Sequence, residues 1–359
     1  MTPVLPAFSP DPVHDAQGPL VSEAARRTWA GAEAPLRPEA DPDERLVHAV
    51  RTAVLAPSVF NTQPWAFRAR GGGAIDLLAD RSRQLPALDP DGRLLMVSCG
   101  AALLLLRVGA ARLGLRLHVR PLPDFGRPDL LATAEIAAGP PEPGLVALAP
   151  AVAQRRTHRG PFDDRPVPES ATAAMAAEAE AEGVGMRQAP EGLPALVVRA
   201  TEALGADEGV RSDFAAWLRP LREPAGGPVL DGVPDYAQDE WGPRSYTTGG
   251  TDVPLPWPDG RTENDRQKAA SAPAALVFAT AGDNPFEWFA AGQAHARAVL
   301  RATLLGLASS YLLGPVVVPA VRAELAEALG GRCPQVLLRV GYATPGAPTP
   351  RRPLSAVLR

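Results

Sequence analysis

Two apolar stretches far apart in the chain follow one pattern, and that repeat limits what the chain can fold into. Ser98-Cys99-Gly100-Ala101-Ala102 through Arg112-Leu113-Gly114-Leu115 matches Ala290-Ala291-Gly292-Gln293-Ala294 through Leu304-Leu305-Gly306-Leu307. Each match opens near one glycine and closes at a second, equally spaced one, a residue favoured where a helix ends. Between the glycines, apolar residues and internal arginines recur as in a buried helix. Each helix leads toward a further strand. The pattern therefore predicts two copies of one α/β unit, roughly 43–145 and 146–359, after an extension over 1–42 that is rich in Pro and Asp.

The 359 residues suffice for two units of ordinary size. With 46% apolar and 21% charged residues, the chain reads as a globular protein with ample core. A net charge of −4 is too small to point to nucleic acid. The single lysine, Lys268, reads as a composition bias. Cys99 and Cys333 have no Cys or His neighbours at metal-ligand spacing, so no metal site and no disulfide framework is expected. Residues 1–15 lack a basic and apolar leader pattern. Arg107 and Arg112 interrupt the most apolar run, which argues against a membrane span. A cytoplasmic protein without membrane contact is expected.

Along the chain, Asp41 and Asp43 open a helix that should stop near Ala56, because Pro57 follows. Gly71-Gly72-Gly73 joins two strands, 66–70 and 74–79, as a hairpin. A long helix over 93–113 precedes strands at 115–119 and 133–138. Helices are expected at 145–156, 171–182 (as a surface helix) and 193–204. From Pro220 to Pro273 the pattern dissolves into Pro, Gly, Asp and Thr, yet this stretch carries Tyr236, Trp241, Tyr246 and Trp257. So long a loop is usually functional or disordered, and its aromatics need an apolar surface, which suits either a lid over a site, with Gly249 and Gly250 as its hinge, or a loop that wraps the outside of the second repeat. Order returns with a strand at 274–280, a helix from Asn284 to Gly306 and a final strand at 335–342.

Two short stretches are dense in polar chemistry. Ala56-Pro57-Ser58-Val59-Phe60-Asn61-Thr62-Gln63-Pro64-Trp65 displays Ser58, Asn61 and Gln63 from a turn just past a helix end. Such side chains donate and accept without charge, which suits the edge of a flat heterocycle. They suit a plain helix stop equally well. Arg155-Arg156-Thr157-His158-Arg159, followed by Pro161-Phe162 and Arg165-Pro166-Val167-Pro168, offers forked donors fit for a phosphate monoester. A solvated basic turn has the same composition. No Ser-His-Asp or Cys-His set is defensible from order, and no protein acid or base is named.

The first stretch resembles the flavin-binding turn of the FMN-dependent nitroreductase family, and the second resembles that family's grip on the FMN phosphate. Leu313-Gly314, within Tyr311-Leu312-Leu313-Gly314-Pro315, resembles the segment whose backbone faces flavin N5. Arg351 and Arg352, in Pro350-Arg351-Arg352-Pro353-Leu354, resemble the family's C-terminal basic residues at the phosphate. In most members the grip precedes the turn; in this chain it follows about a hundred residues later. The first repeat keeps Pro57, Ser58, Asn61 and Gln63, and the second keeps Arg155, Arg156, Thr157 and Arg159, with Arg26-Arg27-Thr28 as a relic of the lost grip. The resemblance is closest to the single-chain, two-repeat branch that includes flavin-sequestering, Acg-like members.

That resemblance implies an α+β fold with mainly antiparallel sheets, its two repeats forming a pseudo-dimer around about one FMN. The chain would then be a monomer, a homodimer being the alternative. It implies an oxidoreductase that takes hydride from NAD(P)H at flavin N5 and passes electrons to a small-molecule nitro, quinone or pathway-specific acceptor. The alternative is an FMN storage protein with little turnover, sealed by 220–273.

Overall fold

The structure, a computed structural model, describes residues 23–32, 34–219, 230–234 and 261–359. The aromatic part of the expected lid (Tyr236, Trp241, Tyr246, Trp257) and its glycine hinge lie outside the described residues. In chain order the first half runs α1 (Glu23–Gly31), α2 (Pro42–Ala53), β1 (Trp65–Gly71), β2 (Ala74–Ala79), α3 (Arg93–Arg112), β3 (Arg116–Pro121), β4 (Leu130–Ala137) and α4 (Pro143–Leu148). The second half runs α5 (Glu169–Glu180), β5 (Gly185–Gln188), α6 (Leu193–Ala206), α7 (Glu208–Trp217), β6 (Leu218–Arg219), β7 (Val233–Pro234) and α8 (Arg261–Ala270). It continues with β8 (Ala274–Thr280), α9 (Pro285–Leu304), β9 (Ala308–Tyr311), α10 (Gly314–Val317), α11 (Pro319–Ala328), β10 (Cys333–Gly341) and α12 (Leu354–Val357).

The two halves share one topology. The first sheet is ordered β1-β2-β4-β3 and the second β5-β8-β10-β9. Counted within each half, both read first, second, fourth, third strand, with every neighbouring pair antiparallel. The long helix, α3 or α9, connects the second strand to the third in each. The chain is therefore α+β and built of two fused repeats. They differ most between their first two strands. A glycine hairpin with positive φ at Gly71, Gly72 and Gly73 suffices in the first sheet. In the second, α6, α7, β6, β7 and α8 intervene.

The matched glycines mark where the repeats cross. A Cβ built on Gly100 would lie 2.2 Å from the Phe289 carbonyl oxygen and 3.0 Å from the Gly292 Cα. One built on Gly292 would lie 2.2 Å from the Val97 carbonyl oxygen. The backbones of α3 and α9 touch there, as only residues without side chains permit. Each core then draws on the other's helix: Phe289, Ala296 and Leu300 of α9 join the first core, and Val97 of α3 joins the second. Helix α3 is apolar and long enough to cross a membrane, but 94% of that stretch is buried inside the protein, as in a core helix.

Three local expectations are corrected. The helix expected over 145–156 ends at Leu148, continues for one tighter turn through Pro150, and gives way to extended chain at Arg155. Pro150 offers no backbone N–H to continue the helical ladder. Helix α5 is more than a surface helix, because it buries Met175, Glu178 and Ala179. Glu178 pairs at 2.7 Å with Arg297, whose other nitrogens reach Glu182 at 2.8 Å and Glu142 at 2.9 Å. Finally, α8 occupies part of the stretch expected to be irregular.

Candidate functional site

A cavity of about 260 Å³ opens between the halves. The first half contributes Pro57 to Phe60 and the start of α3, through Leu94, Val97 and Ser98. The second half contributes Thr157 and Arg159, the end of β9 with Leu312, Leu313 and Gly314, His295 of α9, and one face of α6 and α7. The apolar wall is built by Val59, Phe60, Val197, Leu204 and Phe214. The rings of Phe60 and Phe214 meet at 4.5 Å between centroids, tilted by 58°.

The turn after α2 is strained. Phe60, Asn61 and Gln63 have φ of 44°, 56° and 52°, and left-handed backbone is unfavourable for a residue as bulky as Phe. Hydrogen bonds hold it there. The Gln63 N–H donates to Ser58 Oγ at 3.0 Å, and the Val59 N–H donates to Ser98 Oγ at 3.3 Å. Ser58 faces the cavity, half-buried, and its hydroxyl keeps a proton to donate.

Asn61 and Gln63 are turned elsewhere. Asn61 Nδ2 donates to the Gly232 and Pro350 carbonyls at 2.9 and 3.0 Å, and its Oδ1 accepts from Arg351 at 2.8 Å. Gln63 Nε2 donates to the Leu230 carbonyl at 2.9 Å, and its Oε1 accepts from the Arg352 N–H at 2.8 Å. Arg352 also donates to the Gln63 carbonyl at 3.2 Å. None of these four side chains lines the cavity. They bind the C-terminal tail and residues 230–234 to the back of the turn, and Arg83 joins them through an ion pair to Asp231 at 2.8 Å. Residues 230–234, from the middle of the expected lid, are thus fastened to the first repeat.

The basic stretch forms an extra edge beside β9. Thr157 bridges Ser309 in parallel, and the His158 N–H donates to the Ser309 carbonyl at 2.8 Å. His158 itself turns outward to the Pro161 carbonyl. Arg156 lies over the Trp29 ring, 4.1 Å from its centroid, and does not line the cavity. Arg155 lies behind Thr157, 2% exposed. It donates to the Leu55 carbonyl at 3.3 Å and to Thr157 Oγ1 at 3.5 Å. Among the described residues its Nε has no partner and no carboxylate pairs with it. Burial pulls its pKa below the usual arginine range, with Tyr311 as a weaker opposing influence. A buried guanidinium without a carboxylate is costly unless an anion meets it. His295 supplies no charge there, because burial pushes its pKa down to about 4.

A second polar cluster lies on the opposite face of β9 and β10. Arg339 donates to Ser310 Oγ at 3.0 Å and to the Lys268 carbonyl at 3.3 Å. Lys268 Nζ meets Asp265 at 3.1 Å, and Thr201 donates to the same carboxylate at 3.1 Å. All four residues named with Ser310 line the cavity. The chain's single lysine therefore belongs to the site, and its rarity was the one signal of it in the sequence.

No family model matches the chain. It is 35% identical over 328 residues to a Mycobacterium tuberculosis (strain H37Rv) protein provisionally named NAD(P)H nitroreductase Rv3131, across 88% of this chain and 92% of that one. It is 29% identical over 323 residues to the M. tuberculosis protein provisionally named NAD(P)H nitroreductase acg, across 86% of this chain and 93% of that one. Among solved structures it is similar to a Bacteroides fragilis nitroreductase with bound FMN, at 15% identity and a TM-score of 0.34, over 57% of this chain and 93% of that one.

Proposed function

Since the chain belongs to the nitroreductase superfamily, in its Acg-like branch, we propose that it is an FMN-dependent NAD(P)H oxidoreductase, a single-chain pseudo-dimer with one flavin site between its repeats. The observation that carries this is Arg155, a buried guanidinium with no carboxylate partner among the described residues, which lies behind Thr157 at a cavity lined by both repeats. A dianionic phosphate monoester supplies what that group lacks. Arg155, Thr157 and Arg159 would hold the phosphate. Ser58 and Val59 to Phe60 would bound the ring on one side, with Leu313 and Gly314 on the other. When bound, FMN supplies hydride transfer at N5, between a reduced nicotinamide and an acceptor.

The chain's residues bind, orient and exclude water. Phe60, Phe214 and Leu204 favour a flat apolar acceptor, such as a nitroaromatic or quinone, over water. No side chain is assigned a proton-transfer role. Cytoplasmic function as a monomer is part of the same proposal, in keeping with two free thiols, Cys99 and Cys333.

Flavin released by heat from the purified, FMN-reconstituted protein tests the proposal. One FMN per chain is expected, two would refute the single site, and none would refute the reading. Arg155→Ala should weaken FMN binding by about tenfold or more. A second reading, flavin storage with little turnover, is favoured by the fastening of residues 230–234 across the turn through Asn61, Gln63 and Arg83. Anaerobic NADPH decides between them. Bleaching of the flavin, and its return with a quinone, supports the oxidoreductase; persistent yellow supports storage.

A further inference from the structure

Tyr311 ends β9, two residues before Leu313-Gly314, and lines the cavity. The residue is partly exposed, but its hydroxyl is buried and has no hydrogen-bond partner among the described residues. Native proteins leave few buried hydroxyls in that condition, so each needs a cause. The strand register identifies what surrounds it. Thr157 bridges Ser309 in parallel. Side chains alternate along extended chain, so Thr157 and Arg159 share a face with Ser309 and Tyr311. Tyr311 also pairs with Leu338, whose side chain is in the core beneath α9, whereas Ser310 and Arg339 face the opposite side. His295 of α9 meets the Tyr311 ring edge-on at 5.8 Å.

The geometry points to Tyr311 as a further donor of the FMN-phosphate site, its phenol O–H completing the set made by Arg155, Thr157 and Arg159. This rests on the FMN reading above. A phenol suits the position because it donates without adding charge, and it remains a phenol in use. Burial raises its pKa to about 12, with Arg155 and Arg159 pulling more weakly the other way. The same two orphaned groups, Arg155 Nε and the Tyr311 hydroxyl, would then be satisfied by one ligand.

The test compares FMN with riboflavin, which lacks the phosphate. Apo-protein is titrated with each, following flavin fluorescence, for the wild type, Tyr311→Phe and Arg155→Ala. Tyr311→Phe is expected to weaken FMN binding by about tenfold or more and to leave riboflavin binding unchanged. The ³¹P resonance of bound FMN should move in Tyr311→Phe, a change that a packing role would not cause. Equal FMN affinity, or equal weakening for both flavins, overturns the assignment. If the wild type binds FMN no better than riboflavin, the phosphate site itself is wrong. If Arg155→Ala loses FMN selectively and Tyr311→Phe does not, the inference about Tyr311 alone falls. Without flavin, Tyr311→Phe should melt no lower than the wild type, since the hydroxyl removed is buried and has no partner among the described residues.

Discussion

Replacing Gly100 by Ala should destabilise the chain, although helix propensity alone predicts the opposite. In a helix interior, Ala is favoured over Gly by about 0.8–1 kcal/mol. At Gly100 the new Cβ would sit 2.2 Å from the Phe289 carbonyl oxygen, where ordinary contact begins at 3.4 Å. The clash is with backbone, so no side-chain rotation relieves it. Helices α3 and α9 must separate by about 1 Å, and overpacking of this kind typically costs 1–3 kcal/mol and occasionally more. The separation also loosens residues that each core borrows, Val97 on one side and Phe289 and Ala296 on the other. A net loss of about 2 kcal/mol is expected from urea unfolding followed by circular dichroism, with the midpoint lowered and the slope unchanged. Gly292→Ala should behave alike. The double variant should cost less than the sum, because the first substitution already parts the same contact. A neutral or stabilising Gly100→Ala would mean that the repeats do not cross at these glycines.

Asn61→Ala should loosen the C-terminal tail and residues 230–234, since it removes bonds to Gly232, Pro350 and Arg351. The loss is about 2 kcal/mol, read from melting, with faster hydrogen exchange at 230–234 and 349–352. A shifted flavin spectrum without faster exchange would instead place Asn61 at the ligand. Asp89 and Asp283 should give opposite pH dependences. Burial raises Asp89 to about 6, above its unfolded value of about 4, so its contribution is full below pH 4 and is lost as pH rises through 6. Hydrogen bonding to Arg322 lowers Asp283, so its contribution is present above pH 4 and lost as pH falls. Melting temperatures of Asp89→Asn and Asp283→Asn across pH 3–8 should each lack one of these slopes. Glu178→Gln leaves Arg297 with weakened pairing inside the protein and should cost roughly 3 kcal/mol in urea unfolding.

Much of the fold was legible because it is written twice. The spacing from Gly100 to Gly114 equals that from Gly292 to Gly306, and only the close crossing of two like helices requires the first glycine of each pair. Local chemistry fixed several ends as well: Asp41 caps α2 with Glu44 answering, and Asn284 caps α9. The insertion was harder to read. Helix α8 has the sequence Arg-Thr-Glu-Asn-Asp-Arg-Gln-Lys-Ala-Ala, and its buried residues are Lys268 and Ala269. No apolar periodicity marks such a helix, because it packs largely through Asp265, Thr201 and Arg339. Helix α5 misled for the opposite reason. Its Ala- and Glu-rich pattern reads as a solvent face, and the arginines that bury Glu178 lie more than a hundred residues away.

The site was legible in type more than in role. Pro57, Ser58, Thr157, Arg159, Leu313 and Gly314 do come together around one cavity, and Arg155 lies behind Thr157. Asn61, Gln63, Arg351 and Arg352 also come together, but with one another. A carboxamide offers the same donor and acceptor to a heterocycle edge as to a backbone carbonyl, so residue type cannot separate the two uses. What separates them is the left-handed backbone at Asn61 and Gln63, which swings both side chains behind the turn toward the tail. Ser58 precedes that reversal and keeps its face to the cavity. In a two-chain arrangement, such a turn and a grip from the other copy could drift apart on dissociation. Here one chain carries both, and its own tail and residues 230–234 are bound to the turn by the same carboxamides. Under the proposed flavin reading, turnover and retention of flavin should respond together to Asn61 and Gln63, and separately from Arg155, which lies behind Thr157.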